Sequence, residues 1–161
     1  KALVIGSSKG IGFSIAEYLL DEGFCVFGAS RSGTPIEHGN FFDISTDITK
    51  EKSVESLFEE ISLMTPGIEL VVLSACETGS GDVLNGKGVY GLQRAIKVAG
   101  AESLIMSMWE VDDKATQELM TYFYDYWIDK KMTKRKAFKM AQEIIRKKYK
   151  HPYYWGAFIM I

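Results

Sequence analysis

The chain opens on four apolar residues, Ala2-Leu3-Val4-Ile5, that run straight into a glycine-rich turn, Gly6-Ser7-Ser8-Lys9-Gly10-Ile11-Gly12, and from there into a helical stripe. No other feature narrows the fold as much. A short run that is apolar at every position marks a strand buried on both faces, as in a parallel sheet with helices on each side. Ile11, Ile15, Ala16, Leu19 and Leu20 recur at helical spacing and Gly23 closes the helix. A buried strand handed to a helix through a tight turn is the first half of a parallel crossover unit, which is right-handed almost without exception.

The same alternation continues. Strands are predicted over 24–29, 41–44, 70–73, 104–106 and 155–161. Between them, Thr49 is read as the cap of a helix with Val54, Leu57, Phe58 and Ile61 on its apolar face. Val89, Leu92, Ala95, Ile96 and Ala99 form a second stripe, closed by Gly100. Asp112 or Asp113 caps a helix running to about Asp129, and Thr133 caps one with Ala137, Ala141, Ile144 and Ile145 inward. Strands alternating with helices of this length predict a doubly wound, Rossmann-like α/β fold: a three-layer sandwich on a mostly parallel sheet. The 161 residues suit one domain, 1–161, with a cofactor half over 1–68 and a second half over 69–161. Pro66-Gly67 is the best internal seam. Lys1 stands directly before an apolar strand and Ile161 within an apolar run, so both ends read as trimmed.

A net charge of -2 gives no field that would draw the whole domain to nucleic acid or to an anionic membrane. Lys130–Lys150 is rich in Lys and Arg, and reads as a solvated helix face. No apolar run reaches the roughly 18 residues of a membrane span. Cys25 and Cys76 cannot form a disulfide framework or a zinc site, so no metal is expected, and a reducing, cytoplasmic compartment is the natural expectation. Cys25 and the three tryptophans, Trp109, Trp127 and Trp155, are read as core.

The first glycine loop has the chemistry of a phosphate cradle. Glycines let the backbone approach a pyrophosphate, and the helix start offers N–H groups and a positive dipole end. Ser7, Ser8 and Lys9 add donors and a charge. A carboxylate at the end of the second strand would take a ribose 2'-hydroxyl. The chain has Ala29-Ser30-Arg31-Ser32 there instead, so Arg31, helped by Lys9, suits a 2'-phosphate and favours NADP. These residues resemble the short-chain dehydrogenase/reductase family over about 1–75: Gly6, Gly10, Ile11 and Gly12 match its cofactor loop, and Asp47-Ile48-Thr49 is similar to its adenine-contacting segment. The resemblance implies cofactor binding through Gly6, Ser8, Lys9, Gly10, Ile11, Gly12, Arg31, Ser32 and Asp47. The family's Asn-Ala-Gly is Leu73-Ser74-Ala75-Cys76 here, and its catalytic Ser and Tyr-x-x-x-Lys helix are not in place. Tyr126 and Lys130 do have the Tyr-to-Lys spacing, without any fitting neighbour.

The second half puts Cys76 just past a buried strand, in Leu73-Ser74-Ala75-Cys76-Glu77-Thr78-Gly79, where open α/β sheets carry their sites. A thiolate there needs a base, usually His. From about 69 to 161 the chain resembles the CHAT peptidases of the caspase-like clan, in that stretch and in Gly88–Arg94, Ala99–Ala101, Trp109–Asp113 and Tyr154–Phe158. The resemblance makes Cys76 the counterpart of the nucleophile. The family's His-Gly segment is missing, leaving His38 and His151 as candidate bases. Both families share a Val-Val strand followed by a Ser-Ala or Asn-Ala turn, so a join near Leu63–Leu73 reads as a designed or recombined chimera. Three readings stay open: a chimera with a remnant NADP cradle and no intact catalytic set, an NADP-dependent oxidoreductase, or a cysteine peptidase acting through Cys76.

Overall fold

A computed structural model describes residues 1–73, 96–97, 100–109 and 112–161. The elements are β1 (Ala2–Ile5), α1 (Gly10–Asp21), β2 (Val26–Ser30), β3 (Phe41–Ser45), α2 (Glu51–Met64), β4 (Leu70–Leu73), β5 (Leu104–Ser107), α3 (Asp113–Tyr124) running on into a π-helical turn (Asp125–Asp129), α4 (Lys134–Lys148), a 3-10 turn (Pro152–Tyr154) and β6 (Phe158–Met160). The strands form one sheet in the order β3-β2-β1-β4-β5-β6. β1 to β5 are mutually parallel and β6 runs antiparallel to β5.

The sheet is buried on both faces because its central strands are apolar at every position. Ala2 and Val4 of β1 point to one face, where they meet Ile15, Ala16 and Leu19 of α1 together with Leu119 and Phe123 of α3 and Ala137 and Ala141 of α4. Leu3 and Ile5 point to the other, against Val54, Leu57, Phe58 and Ile61 of α2. The predicted three-layer α/β sandwich with a mostly parallel sheet is the one observed.

Several boundaries differ from the sequence expectation. β2 begins at Val26 rather than Phe24. Cys25 lies half-buried just ahead of it, its carbonyl accepting from Ala2 N at 3.0 Å, so it is not a mid-strand core residue. β6 begins at Phe158, because residues 152–154 coil into a 3-10 turn that ends at Trp155. Lys50, not Thr49, stands at the N-cap of α2; Thr49 instead donates both N–H and hydroxyl to Asp47. Asp112 caps α3, accepting from Ala115 N at 2.9 Å. Trp109 is 38% exposed, with Nε1 donating to the Tyr153 carbonyl, while Trp127 and Trp155 pack half-buried against the core. Most of the stripe predicted over 89–99 lies outside the described residues.

Candidate functional site

β1, β2, β3, β4 and β5 all end at one edge of the sheet. After β1 the chain turns to β2 on one side, whereas the next strand placed beside β1 on the other side is β4. That is a topological switch point, the position at which open α/β sheets form a crevice. The glycine loop fills it. Gly6 has φ 88° and donates its N–H to Ala29 O at 2.8 Å, which docks the loop on the end of β2. Gly10 has φ 59° and opens α1. Both conformations lie in the left-handed region that side chains disfavour. Lys9 at the N-cap makes no side-chain cap, and the first turn of α1 holds no acidic residue, so the dipole end faces outward uncompensated. Nothing lies within 4 Å of where a Cβ on Gly10 would stand.

The remaining predicted cofactor residues gather at this edge. Ser8 and Ile11 are half-buried, Gly12 is buried, and Lys9, Arg31 and Ser32 are exposed. Arg31 and Ser32 follow directly on the end of β2. Asp47 lies two residues past β3, and its carboxylate is engaged locally. Oδ1 accepts from Thr49 N at 3.1 Å and Thr49 Oγ1 at 2.7 Å, and Oδ2 lies 3.4 Å from Lys50 Nζ. The two Thr49 hydrogen bonds, with help from Lys50, hold the Asp47 carboxyl below the usual range.

Two features were not foreseen. Thr34 reaches back to the glycine loop, its Oγ1 2.7 Å from buried Ser7 Oγ, while its N–H donates to Asp43 Oδ2. The 31–40 connection thereby covers β2 and β3 on the α1 side with no helix of its own; Gly33 (φ 75°), Pro35 and Gly39 mark it as a loop in the sequence, but not its contacts. Ser30, the last residue of β2, is buried, and its hydroxyl has no hydrogen-bond partner among the described residues. A groove of about 690 Å³ extends from the start of α1 between α1 and α3, from Gly10 and Asp113 to Tyr18 and Tyr124.

The other candidates fall elsewhere. Cys76 lies outside the described residues, three positions after the end of β4. His38 sits at the opposite edge of the sheet, ahead of β3, with its carbonyl accepting from Phe41 N. β3 is three strands from β4, so His38 is separated from the end of β4 by about 14 Å across the sheet and about 13 Å along it. His151 precedes the 3-10 turn that leads into β6, whose first residue pairs with Ser107 at the end of β5. It therefore lies toward the edge where β4 ends. Its Nδ1 accepts from Tyr153 N at 3.2 Å. Tyr126 lies in the π-helical turn at the far end of α3 and Lys130 stands at its C-cap, about 20 Å along the helix from Asp113 and away from the glycine loop. No group of three metal-ligating side chains occurs among the described residues, and none of the described helices is long and apolar enough to cross a membrane.

Comparison with known proteins returns two kinds of match. The family model of the CHAT domain matches residues 30–161, opening at the end of β2, well before residue 69. The uncharacterized oxidoreductase C162.03 of Schizosaccharomyces pombe is 32% identical over 75 residues, 45% of this chain and 26% of the relative. Dehydrogenase/reductase SDR family member 11 of Gallus gallus is 29% identical over 97 residues, 53% of this chain and 38% of the relative. The chain thus spans about a quarter to two-fifths of the length of these relatives. Among solved structures, a short chain dehydrogenase from Leptospira borgpetersenii serovar Hardjo-bovis with bound NAD+ superposes with a TM-score of 0.50 at 18% identity, over 59% of this chain and 43% of that one. At that identity the likeness concerns the fold. The resemblance is mixed, short-chain dehydrogenase-like and CHAT-like in one α/β sheet.

Proposed function

The chain belongs to the CHAT domain family, and from that premise we propose that it is a recombined α/β domain whose dehydrogenase-like opening still binds the adenosine-pyrophosphate end of NADP without an intact catalytic set. The observation that carries this reading is the uncapped N-terminus of α1 behind two left-handed glycines at the switch point. Gly6, Gly10 and Gly12 give a pyrophosphate close access to backbone N–H groups. Ser8 and Lys9 add a hydroxyl and a positive charge. Ser30, whose buried hydroxyl has no hydrogen-bond partner among the described residues, offers a donor to a ribose. Arg31 and Ser32 take the 2'-phosphate in place of the missing carboxylate, and Asp47 with Thr49 borders the adenine. When bound, NADP supplies hydride chemistry; this chain's own residues bind and orient it.

Proton transfer is not supplied by the Tyr126–Lys130 pair. Lys130 Nζ lies 4.1 Å from the centroid of the Tyr126 ring and binds Asp125, so it covers the ring face, and the pair is a helix length from the loop. An NADP-dependent oxidoreductase would need a donor other than this pair.

Calorimetric titration with NADPH and NADH tests the proposal. NADPH binding that exceeds NADH binding, and that weakens about tenfold or more in Arg31→Ala, is expected for a charge-assisted phosphate contact. Absence of heat with both cofactors would reduce the glycine loop to a structural element.

A second reading, a cysteine peptidase acting through Cys76, is favoured by the family membership and by His151 lying toward the edge where β4 ends. Its test is the pH profile of Cys76 alkylation. A thiolate activated by His151 reacts well below the ordinary thiol range, and that advantage is lost in His151→Ala.

A further inference from the structure

The outer faces of the two helical layers carry opposite charge. Between Lys130 and Lys150 ten Lys and Arg residues stand against Glu143 alone. Several are engaged within the fold: Lys130 with Asp125, Lys134 with Glu102, and Lys148 with Glu118, while Arg146 lies over the Trp155 ring. Arg135, Lys136, Lys139 and Lys147 of α4, with Lys150 beyond it, remain exposed. On the far side of the sheet, α2 exposes Glu51, Glu55, Glu59 and Glu60 against Lys52, and ends in two apolar residues, Leu63 at 88% and Met64 at 47% exposure. α2 and α4 belong to opposite layers, because one packs on the Leu3–Ile5 face and the other on the Ala2–Val4 face.

We propose that copies of this chain associate head to tail, the basic face of α4 in one copy lying on the acidic face of α2 in the next. The two helices match in length, 14 and 15 residues or about 21–22 Å. They also run in opposite directions. α2 descends from the edge where β3 ends, whereas α4 returns toward that edge after α3. A copy laid on the next by translation alone therefore brings the Arg146–Lys150 end of α4 to the Glu51–Glu55 end of α2. The Arg135–Lys139 end meets Glu59 and Glu60. Exposed ion pairs are individually weak, so Leu63 and Met64 supply the desolvated contact and the charges set register and partner. A second copy fits better than a nucleic acid or an anionic membrane. Its complement is present on the same chain at matching length. Because the two surfaces differ, the contact is heterologous, and repeated by translation it propagates as an open chain rather than a closed pair.

Sedimentation velocity tests this. For the unmodified protein at low salt the weight-average sedimentation coefficient should rise with concentration, and added salt should weaken the association about tenfold or more. Glu55→Lys with Glu59→Lys, and separately Lys136→Glu with Lys139→Glu, should each give a monomer with an unchanged circular dichroism spectrum. An equimolar mixture of the two variants should associate again, since each then offers the face the other lacks. A protein that stays monomeric at every concentration in low salt, association that survives both reversals, or a mixture that stays monomeric would overturn the proposal. So would a monomer retained on heparin or on phosphatidylserine vesicles through Lys136 and Lys139, which would give the basic face to a polyanion.

Discussion

The ring of Phe41, on the edge strand β3, lies across Gly28 of β2, so closely that a Cβ on Gly28 would stand 2.7 Å from Phe41 Cε2 and 2.9 Å from Ser7 Oγ. Gly28 has an ordinary strand conformation, so the requirement for glycine here is steric. Gly28→Ala should cost about 1–3 kcal/mol of stability through overpacking. It should also disturb the Ser7–Thr34 contact that ties the 31–40 connection to the glycine loop. Urea denaturation checks the cost. In a Phe41→Leu background the ring is gone and the penalty should shrink markedly; an equal penalty in both backgrounds would show that the ring is not what excludes a side chain.

Tyr124 offers the opposite sign. It is 3% exposed at the end of α3, its ring centroid 5.2 Å from that of Tyr18, and its hydroxyl has no hydrogen-bond partner among the described residues. Burial, reinforced by Tyr18, pushes its phenol far up from the ordinary tyrosine range, so it stays a neutral donor without an acceptor among the described residues. A buried hydroxyl left unsatisfied costs about 1–3 kcal/mol. Tyr124→Phe keeps the ring and removes that cost, and should raise stability by about 1 kcal/mol. Loss of stability in urea denaturation would mean that the hydroxyl has a partner in solution, such as a water in the α1–α3 groove.

Where the sequence speaks through runs and periods, the fold was legible. β1 and β4 are apolar at every position, and β5 at every position but its last, Ser107, because a strand covered on both faces has no side to leave polar. The glycine loop was legible because only glycine holds the left-handed turns at 6 and 10 cheaply. What escaped was set by tertiary partners. Phe24 and Cys25 look like strand but precede it, with Phe24 turned edge-on to Trp127. The 31–40 connection is held by Thr34 contacts to Ser7 and Asp43, which no local pattern announces. Trp109, a core residue on the sequence expectation, remains partly exposed beside Tyr153. In the candidate site, the Tyr126–Lys130 spacing did put the two side chains together. Sequence spacing does not say at which end of the domain a helix carries them, and they lie at the end remote from the loop.

The helix pair on the α1 side is also tied electrostatically, with a consequence for acid stability. Glu118 of α3 accepts from Lys148 Nζ at 2.8 Å and from Tyr149 hydroxyl at 3.2 Å. The Lys148 hydrogen bond and charge, and then Tyr149, hold the Glu118 carboxyl below the usual carboxylate range, while Glu118 in turn raises Lys148. A folded-state carboxyl pKa lowered in this way stabilises the fold above the unfolded value. That contribution is lost as pH falls through the lowered folded value. For Lys148 the sign reverses: its contribution is whole below the ordinary lysine range and is lost as pH rises through the raised value. The pair therefore acts across the whole neutral window and fades at both ends. Its size is small, because Lys148 is half exposed and surface pairs contribute little. Thermal melts of Glu118→Gln and the unmodified protein across a pH series should show a modest, constant gap in Tm near neutrality. The gap should close in acid as Glu118 protonates. A gap that persists unchanged into strong acid would assign the effect to packing of the Glu118 side chain against α4 rather than to its charge.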